Sequence, residues 1–233
     1  MILCPYITEI LPDNYLAGKR CFIIGGGPSL INFNESTLKD EFVIGVNKAF
    51  DRFSPQINYC NDKIFYDMMI TPPVDPPRLA AEFAHLSEAW RDYKGLKVFS
   101  EMIERQHFRD VILVRQILEH EIKTDLSNGM YSGNNSGFGA IMLAIGLGCK
   151  EIYLLGFDLK TKNAADDGKD QTHWHEGYVR QTPRTLQKRL WEFGGVFGEF
   201  AGKFINAGID VVNLSPDSDL TCFRTDTAEN VLK

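Results

Sequence analysis

The sequence predicts an α/β fold, a Rossmann-like, mainly parallel sheet with helices on both faces. Two patterns predict it: short β-type runs alternate with helical stretches along the chain, and the runs are continuously apolar. Strands covered on both sides must read that way, because neither face meets water. A third observation fits the same class. The run Cys21–Ile24 ends in Gly25-Gly26-Gly27, a strand-to-glycine turn.

Strands are expected at Cys21–Ile24, Phe42–Val46, Ile57–Cys60, Leu96–Phe99, Val111–Val114, Glu151–Leu155 and Asp210–Val212. A helix is expected over Pro77–Tyr93, after the breakers Pro72-Pro73-Val74-Asp75-Pro76. Ser136–Leu147 is apolar nearly all round and predicts a buried helix. Arg184–Ile205 is the clearest helix. Leu186, Leu190, Phe193, Phe197, Phe200 and Phe204 recur at helical spacing, and Gly208 comes soon after as a stop. That stripe reads as core packing. The longest irregular stretch, 160–178, is expected to be a loop and a possible lid on a single domain spanning 1–233.

Composition narrows the function classes. Of 233 residues, 44% are hydrophobic and 24% charged, the balance of a globular chain. No run approaches the ~18 apolar residues of a membrane-spanning helix. The start, Met1-Ile2-Leu3-Cys4-Pro5, lacks the basic and long apolar regions of a signal peptide. The five cysteines form no CxxC pair. A reducing, cytoplasmic setting is therefore expected. The net charge of −6 does not indicate nucleic acid. Arg180, Arg184, Lys188 and Arg189 form the densest basic stretch and read as a solvated helix face.

Five clusters offer chemistry. Gly25-Gly26-Gly27-Pro28-Ser29-Leu30 suits a phosphate, with small residues, amides and a hydroxyl at the start of a helix. The plain alternative is a tight turn. Asn47, at the carboxyl end of the second strand, suits a base or ribose, or simply a turn. Asp62 holds the matching place after the third strand and suits a hydroxyl, a metal or a cap. In Tyr131-Ser132-Gly133-Asn134-Asn135-Ser136-Gly137-Phe138-Gly139, Ser136 is the expected N-cap, with Ser132, Asn134 and Asn135 around it. Two glycine loops opening onto helices can clasp a diphosphate or nucleotide from both sides. Asp158 ends Gly156-Phe157-Asp158 at another strand edge. In His173-Trp174-His175-Glu176, the two histidines without a third ligand make a weak metal site. One of them as a general base is the simpler functional reading, and a loop without a role is the alternative.

Taken in order, Gly25-Gly26-Gly27-Pro28-Ser29-Leu30, Val46-Asn47, Ser136-Gly137 and Glu151–Asp158 resemble the bacterial lipooligosaccharide sialyltransferases. The skeleton is also similar to motility-associated flagellin glycosyltransferases and MptE-like 6-hydroxymethylpterin diphosphokinases. It further resembles uncharacterised phage-encoded members, through the Gly-Asn-Asn-Ser-Gly entry, the histidine-tryptophan loop and the tail Asn213–Ser218. The resemblance covers most of Cys21 to Phe223. It implies Gly25, Gly27, Pro28 and Ser29 near the nucleotide phosphate, and Asn47 near the donor. It puts Ser136 and Gly137 at the nucleotide and a histidine after Asp158 as base; of the two, His175 is expected to serve, and failing that His173. Two departures stand out. Gly26 occupies a place where the sialyltransferases usually carry Asn, and Leu159, Lys160 and Thr161 stand where their phosphate-binding tyrosines would be. Lys160 is either the replacement cation or a loop lysine.

The resulting expectation is a nucleotide-sugar-dependent glycosyltransferase with a CMP-linked donor, an unknown acceptor and no metal. If phage-encoded, it would work in the host cytoplasm. The rival is a Mg²⁺- and ATP-dependent diphosphokinase with Asp62, Asp158 and Asp166 as ligands. A non-catalytic nucleotide-binding accessory protein is the third reading. Oligomeric state is not legible in the sequence.

Overall fold

The structure is a computed structural model that describes residues 3–74, 77–101, 105–133, 135–160, 173–175 and 183–233. Its centre is one eight-stranded sheet in the order β5-β4-β3-β2-β1-β6-β7-β8. The strands are β1 (Arg20–Ile24), β2 (Phe42–Val46), β3 (Ile57–Cys60), β4 (Leu96–Glu101), β5 (Ile112–Arg115), β6 (Glu151–Leu155), β7 (Asp210–Asn213) and β8 (Arg224–Thr225). Every neighbouring pair is parallel. The α-helices are α1 (Phe50–Phe53), α2 (Lys63–Ile70), α3 (Pro77–Asp92), α4 (Ser136–Gly146), α5 (Pro183–Asn206) and α6 (Ala228–Val231).

Both faces of the sheet are covered, and the strand sequences say why. Along β1, Cys21 and Ile23 join a core with α4 and α5, while Phe22 and Ile24 join the opposite core. Side chains alternate with period two, so a strand apolar at every position needs a cover on each side. On one face, α4 is buried along its whole length. Beside it lie Phe197, Phe200 and Phe204 of α5. On the other face, Phe50, Phe65, Tyr66, Phe83 and Trp90 from α1, α2 and α3 pack with Phe99 of β4.

The expected strands all form, with ends moved by two residues at most. The helices expected at 77–93, 136–147 and 184–205 form as well. α5 stops where Gly208 adopts φ +69°, in keeping with its reading as a stop signal. Four of these elements, α1 among them, escaped the sequence reading. β8 is two exposed residues, held by Arg224 on Asp210 at 2.6 Å. α2 begins at Lys63, with Asp62 as its N-cap, and α6 buries no residue. Of the basic stretch, Lys188 has a described side chain. It is exposed and lies 3.7 Å from Glu192, consistent with a solvated face. Among the described residues no helix is long and apolar enough to cross a membrane. Of the expected loop at 160–178, only Lys160 and residues 173–175 fall among the described residues. Asn134, Asp166 and Glu176 lie outside them.

β1 sits between β2, which starts the walk to one edge, and β6, which starts the walk to the other. The loops after β1 and β6 therefore diverge and leave a crevice at the carboxyl ends of the strands.

Candidate active site

A cleft of about 730 Å³ occupies that crevice. It is lined by Gly25, Gly26, Gly27, Asn47, Asp62, Asn135, Ser136, Gly137, Asp158, Lys160, His173 and His175. The chain thus brings together residues far apart in sequence, from Gly25 to His175. Pro28, Ser29 and Ser132 do not line it.

The glycine loop is shaped by space rather than by a backbone turn open only to glycine. None of Gly25, Gly26 and Gly27 has positive φ, and Gly27 stands at −68°. A Cβ on Gly25 would lie 2.6 Å from Gly156 O, and one on Gly27 would strike the Asp158 carboxylate. The amides are largely engaged. Gly25 N–H donates to Leu155 O at 2.7 Å and Gly27 N–H to Gly156 O at 2.8 Å. Ser29 N–H donates to Asp158 Oδ1 at 3.3 Å, and its hydroxyl donates to Oδ2 at 2.8 Å. Among the described residues, the Gly26 N–H is the one amide of this loop with no acceptor. The loop leads into a single 3₁₀ turn, Pro28–Leu30, rather than the expected helix. A turn of that length has little dipole to offer an anion.

Asp158 is the latch on the β6 side. Ser29 Oγ also lies 3.2 Å from Ser215 Oγ, so the carboxylate ties β1, β6 and the β7 exit together. Burial raises its pKa above the ordinary carboxylate range, against the Ser29 hydrogen bonds. Next to it, Gly156 has φ +72° and Leu159 φ +47°, and across the cleft Asn47 has φ +53°. A leucine in the left-handed region costs about 1–2 kcal/mol. Such strain gathers where the surrounding structure must aim a chain at a ligand. Lys160 donates from Nζ to Asp217 O.

The second wall is the start of α4. Its N-cap is Asn135, not the expected Ser136. Asn135 Oδ1 accepts from Gly137 N–H at 2.8 Å and Phe138 N–H at 3.1 Å. Ser136, at the first helical position, donates to Asn61 Oδ1 at 2.7 Å and accepts from Asn61 N–H at 3.1 Å. Asparagine wins because its carbonyl oxygen reaches two amides, which frees the serine to face β3. Ser132 is fully buried and 3.4 Å from Asn61 Nδ2, so it supports this network from behind. Asp62 takes the capping role left open for it. Its Oδ1 accepts from Ile64 N–H at 2.9 Å and Phe65 N–H at 3.2 Å.

The third wall is His173-Trp174-His175, laid across the glycine loop. Trp174 donates from its backbone N–H to Gly26 O at 3.0 Å and from Nε1 to Gly25 O at 3.1 Å. Its ring packs edge-on against Phe53 at 5.4 Å and lies under Arg52 at 5.7 Å. Residues 173–175 form a bend, and the Trp174 ring also meets His175 edge-on at 4.9 Å. The two histidine rings stack at 4.9 Å. A Cβ on Gly26 would stand 3.7 Å from His173 Nε2 and 3.8 Å from His175 Nε2. Burial, with the Lys48 charge as the second cause, lowers the His173 pKa to about 4. That imidazole is neutral at pH 7.

The sequence reading missed Lys48, Asn61 and Glu82. Lys48 is 3% exposed, lines the cleft and is ion-paired with Glu82 of α3. A lysine after a strand-end asparagine reads as surface, and nothing in the helical pattern of α3 marks Glu82. Asn61 stands beside Asp62, and its signal was adjacency alone. Among the described residues no group of three His, Cys, Asp or Glu side chains is placed to hold a metal.

No protein-family model matches the chain, and no curated protein matches it. In fold it is similar to the sialyltransferase CstII from Campylobacter jejuni, whose structure was solved in complex with a substrate analogue, cytidine-5'-monophosphate. The two share 20% identity over 90% of this chain and 85% of that one, with a TM-score of 0.52. The α/β, Rossmann-like architecture expected from the sequence is thus the architecture of a glycosyltransferase neighbour.

Proposed function

We propose that this chain is a nucleotide-sugar-dependent glycosyltransferase that uses a CMP-linked donor and a histidine base. The observation that carries the reading is the convergence of both histidine Nε2 atoms on Gly26 inside the switch-point cleft. Ligands of open parallel sheets bind at that crevice. The fold neighbour's complex with CMP supports the choice of nucleotide.

In this reading the nucleotide lies between the glycine loop and the start of α4. The Gly26 N–H and the α4 dipole face the donor phosphate, and Lys160, held on Asp217 O, lines the same cleft. An acceptor hydroxyl attacks the anomeric carbon, and the bond from that carbon to the phosphate oxygen breaks. CMP leaves with the electron pair, and the hydroxyl proton passes to the histidine. His173, with its basicity lowered by burial, is a poor proton acceptor at pH 7. His175 therefore carries the base role, and His173 stacks on it and fixes its plane. Such a base contributes ~10²–10⁴-fold. Of the three ligands the diphosphokinase reading names, Asp62 Oδ1 accepts from two amides and Asp158 accepts from Ser29, while Asp166 lies outside the described residues. The deciding experiment incubates the chain with a CMP-linked sialic acid and a panel of galactosides and monitors CMP release. Release that depends on acceptor supports the reading. Pyrophosphoryl transfer from ATP with no CMP release replaces it by the diphosphokinase.

A further inference from the structure

The outer face of α5 carries a pattern that the fold of a single chain does not require. Trp191, Gly195, Gly198, Gly202 and Ile205 advance by four, three, four and three, so they share one stripe. The stripe faces away from Phe197, Phe200 and Phe204, which pack into the core. Trp191 is 79% exposed and Ile205 74%. Among the described residues, nothing lies within 4 Å of a Cβ built on Gly195, Gly198 or Gly202, and none of them has positive φ. Among the described residues, no turn and no neighbour asks for these glycines. Inside a helix, glycine is a poor former, and an outer face that meets only water is normally polar. Glycines on a helix surface let a second backbone come close. Exposed tryptophan is a favoured interface anchor.

We propose that α5 is a self-association surface on which a second copy of this chain lays the same helix antiparallel, with the two-fold axis at Gly198. The stripe is nearly palindromic about that residue. Trp191 and Ile205 stand equally far from it, so Trp191 meets the partner's Ile205, and Gly195 meets the partner's Gly202. A two-fold contact demands this kind of self-complementarity. Charge selects the same arrangement. A ridge of Glu192, Glu199 and Lys203 runs beside the stripe. Antiparallel pairing sets Glu192 against the partner's Lys203 on both sides of the axis. Parallel pairing would set like charges together. Glu199, nearest the axis, is already paired with Lys203 at 3.2 Å and lies 3.1 Å from His120 Nδ1. This inference does not rest on the proposed reaction.

Sedimentation of the full chain over about 1–100 μM tests it. The expected result is a dimer that dissociates on dilution. Gly198→Gln should raise the dimer dissociation constant by about 100-fold or more while keeping the helix, because glutamine is the better helix former. Gly198→Cys, in a Cys222→Ser background that silences the half-exposed native thiol, should cross-link to itself under mild oxidation. Gly208→Cys, well off the axis, should not. A wild-type chain that stays monomeric over the range overturns the proposal. So does association that Gly198→Gln leaves unchanged. Binding to anionic vesicles that Trp191→Ala abolishes, with no dimer, would assign the stripe to a membrane surface instead.

Discussion

Gly26 and Gly27 are neighbours with different jobs. A Cβ at residue 26 would stand 2.9 Å from His173 Cδ2, the side chain of a docked segment that can shift. At residue 27 it would meet the latched Asp158 carboxylate and stand 2.6 Å from Gly156 O, neither of which can yield. Gly26→Ala is therefore expected to change stability by less than ~1 kcal/mol and to lower turnover at least ~10-fold by moving the imidazoles. Gly27→Ala is expected to cost ~1–3 kcal/mol of stability, as overpacking does. Urea melts and kcat separate the two, and equal stability losses would sink the distinction. His175→Ala should lower turnover by ~10²-fold or more while leaving CMP affinity nearly unchanged, and His173→Ala should do less. Near-normal turnover in both single variants and in the double variant removes the histidine-base mechanism.

His173 also makes a pH prediction. Free, it would titrate near 6.5; docked, it titrates at about 4. Between those values the undocked form binds a proton that the docked form does not. Docking is therefore unpenalised above 6.5 and weakens as the pH falls toward 4. The full penalty is about 3 kcal/mol as an upper bound, for a shift of roughly two and a half pH units. Trp174 fluorescence should report the segment leaving Gly25 and Gly26 on acidification, and His173→Gln should flatten that response. An identical acid profile in the variant would assign the change to another group.

At the scale of elements, the first turn of α4 serves both fold and cleft. Asn135 is 8% exposed and caps two amides. Asn135→Ala is expected to cost ~0.5–2 kcal/mol in chemical denaturation and to weaken CMP binding, because the helix start loses its fixed direction. Asn135→Ser should recover much of both. A loss of stability with unchanged CMP affinity would remove this turn from the site. The helix itself was legible: Ser136–Leu147 is apolar throughout, and burial leaves no other choice. The cap was not. Asn135 and Ser136 are both good capping types, and only the place of β3 and Asn61 sends the serine sideways. α2 and β8 were illegible for a related reason. Asp62 reads equally as ligand or cap, and two exposed residues carry no hydrophobic period.

For the whole molecule, a nucleotide seated between the glycine loop and α4 binds the native state alone and must stabilise it. At 100 times its Kd a ligand adds ~2.7 kcal/mol, which for a chain of this size raises Tm by about 5–10 °C. CMP is expected to give that shift, UDP, GDP and ATP much less, and EDTA no change to the CMP shift. A shift that requires Mg²⁺, or one larger with ATP than with CMP, would overturn the donor assignment.

The sequence alone determined the layered architecture, because strands apolar at every position must be covered twice and the Phe197–Phe200–Phe204 period can face only a core. It also marked where the chain turns over the strand ends, at Gly25–Gly27, Asn47, Asp62 and Asp158. Tertiary structure alone decided what those residues touch. Asp158 closes on Ser29 from 129 positions away, Lys48 finds Glu82 across 34, and Trp174 docks on Gly25 across 149. Periodicity and propensity are local quantities that a window of sequence carries. Whether a carboxylate meets a hydroxyl, an ammonium or open cleft depends on which strand ends the crossovers bring side by side, and that is fixed only when the sheet is assembled.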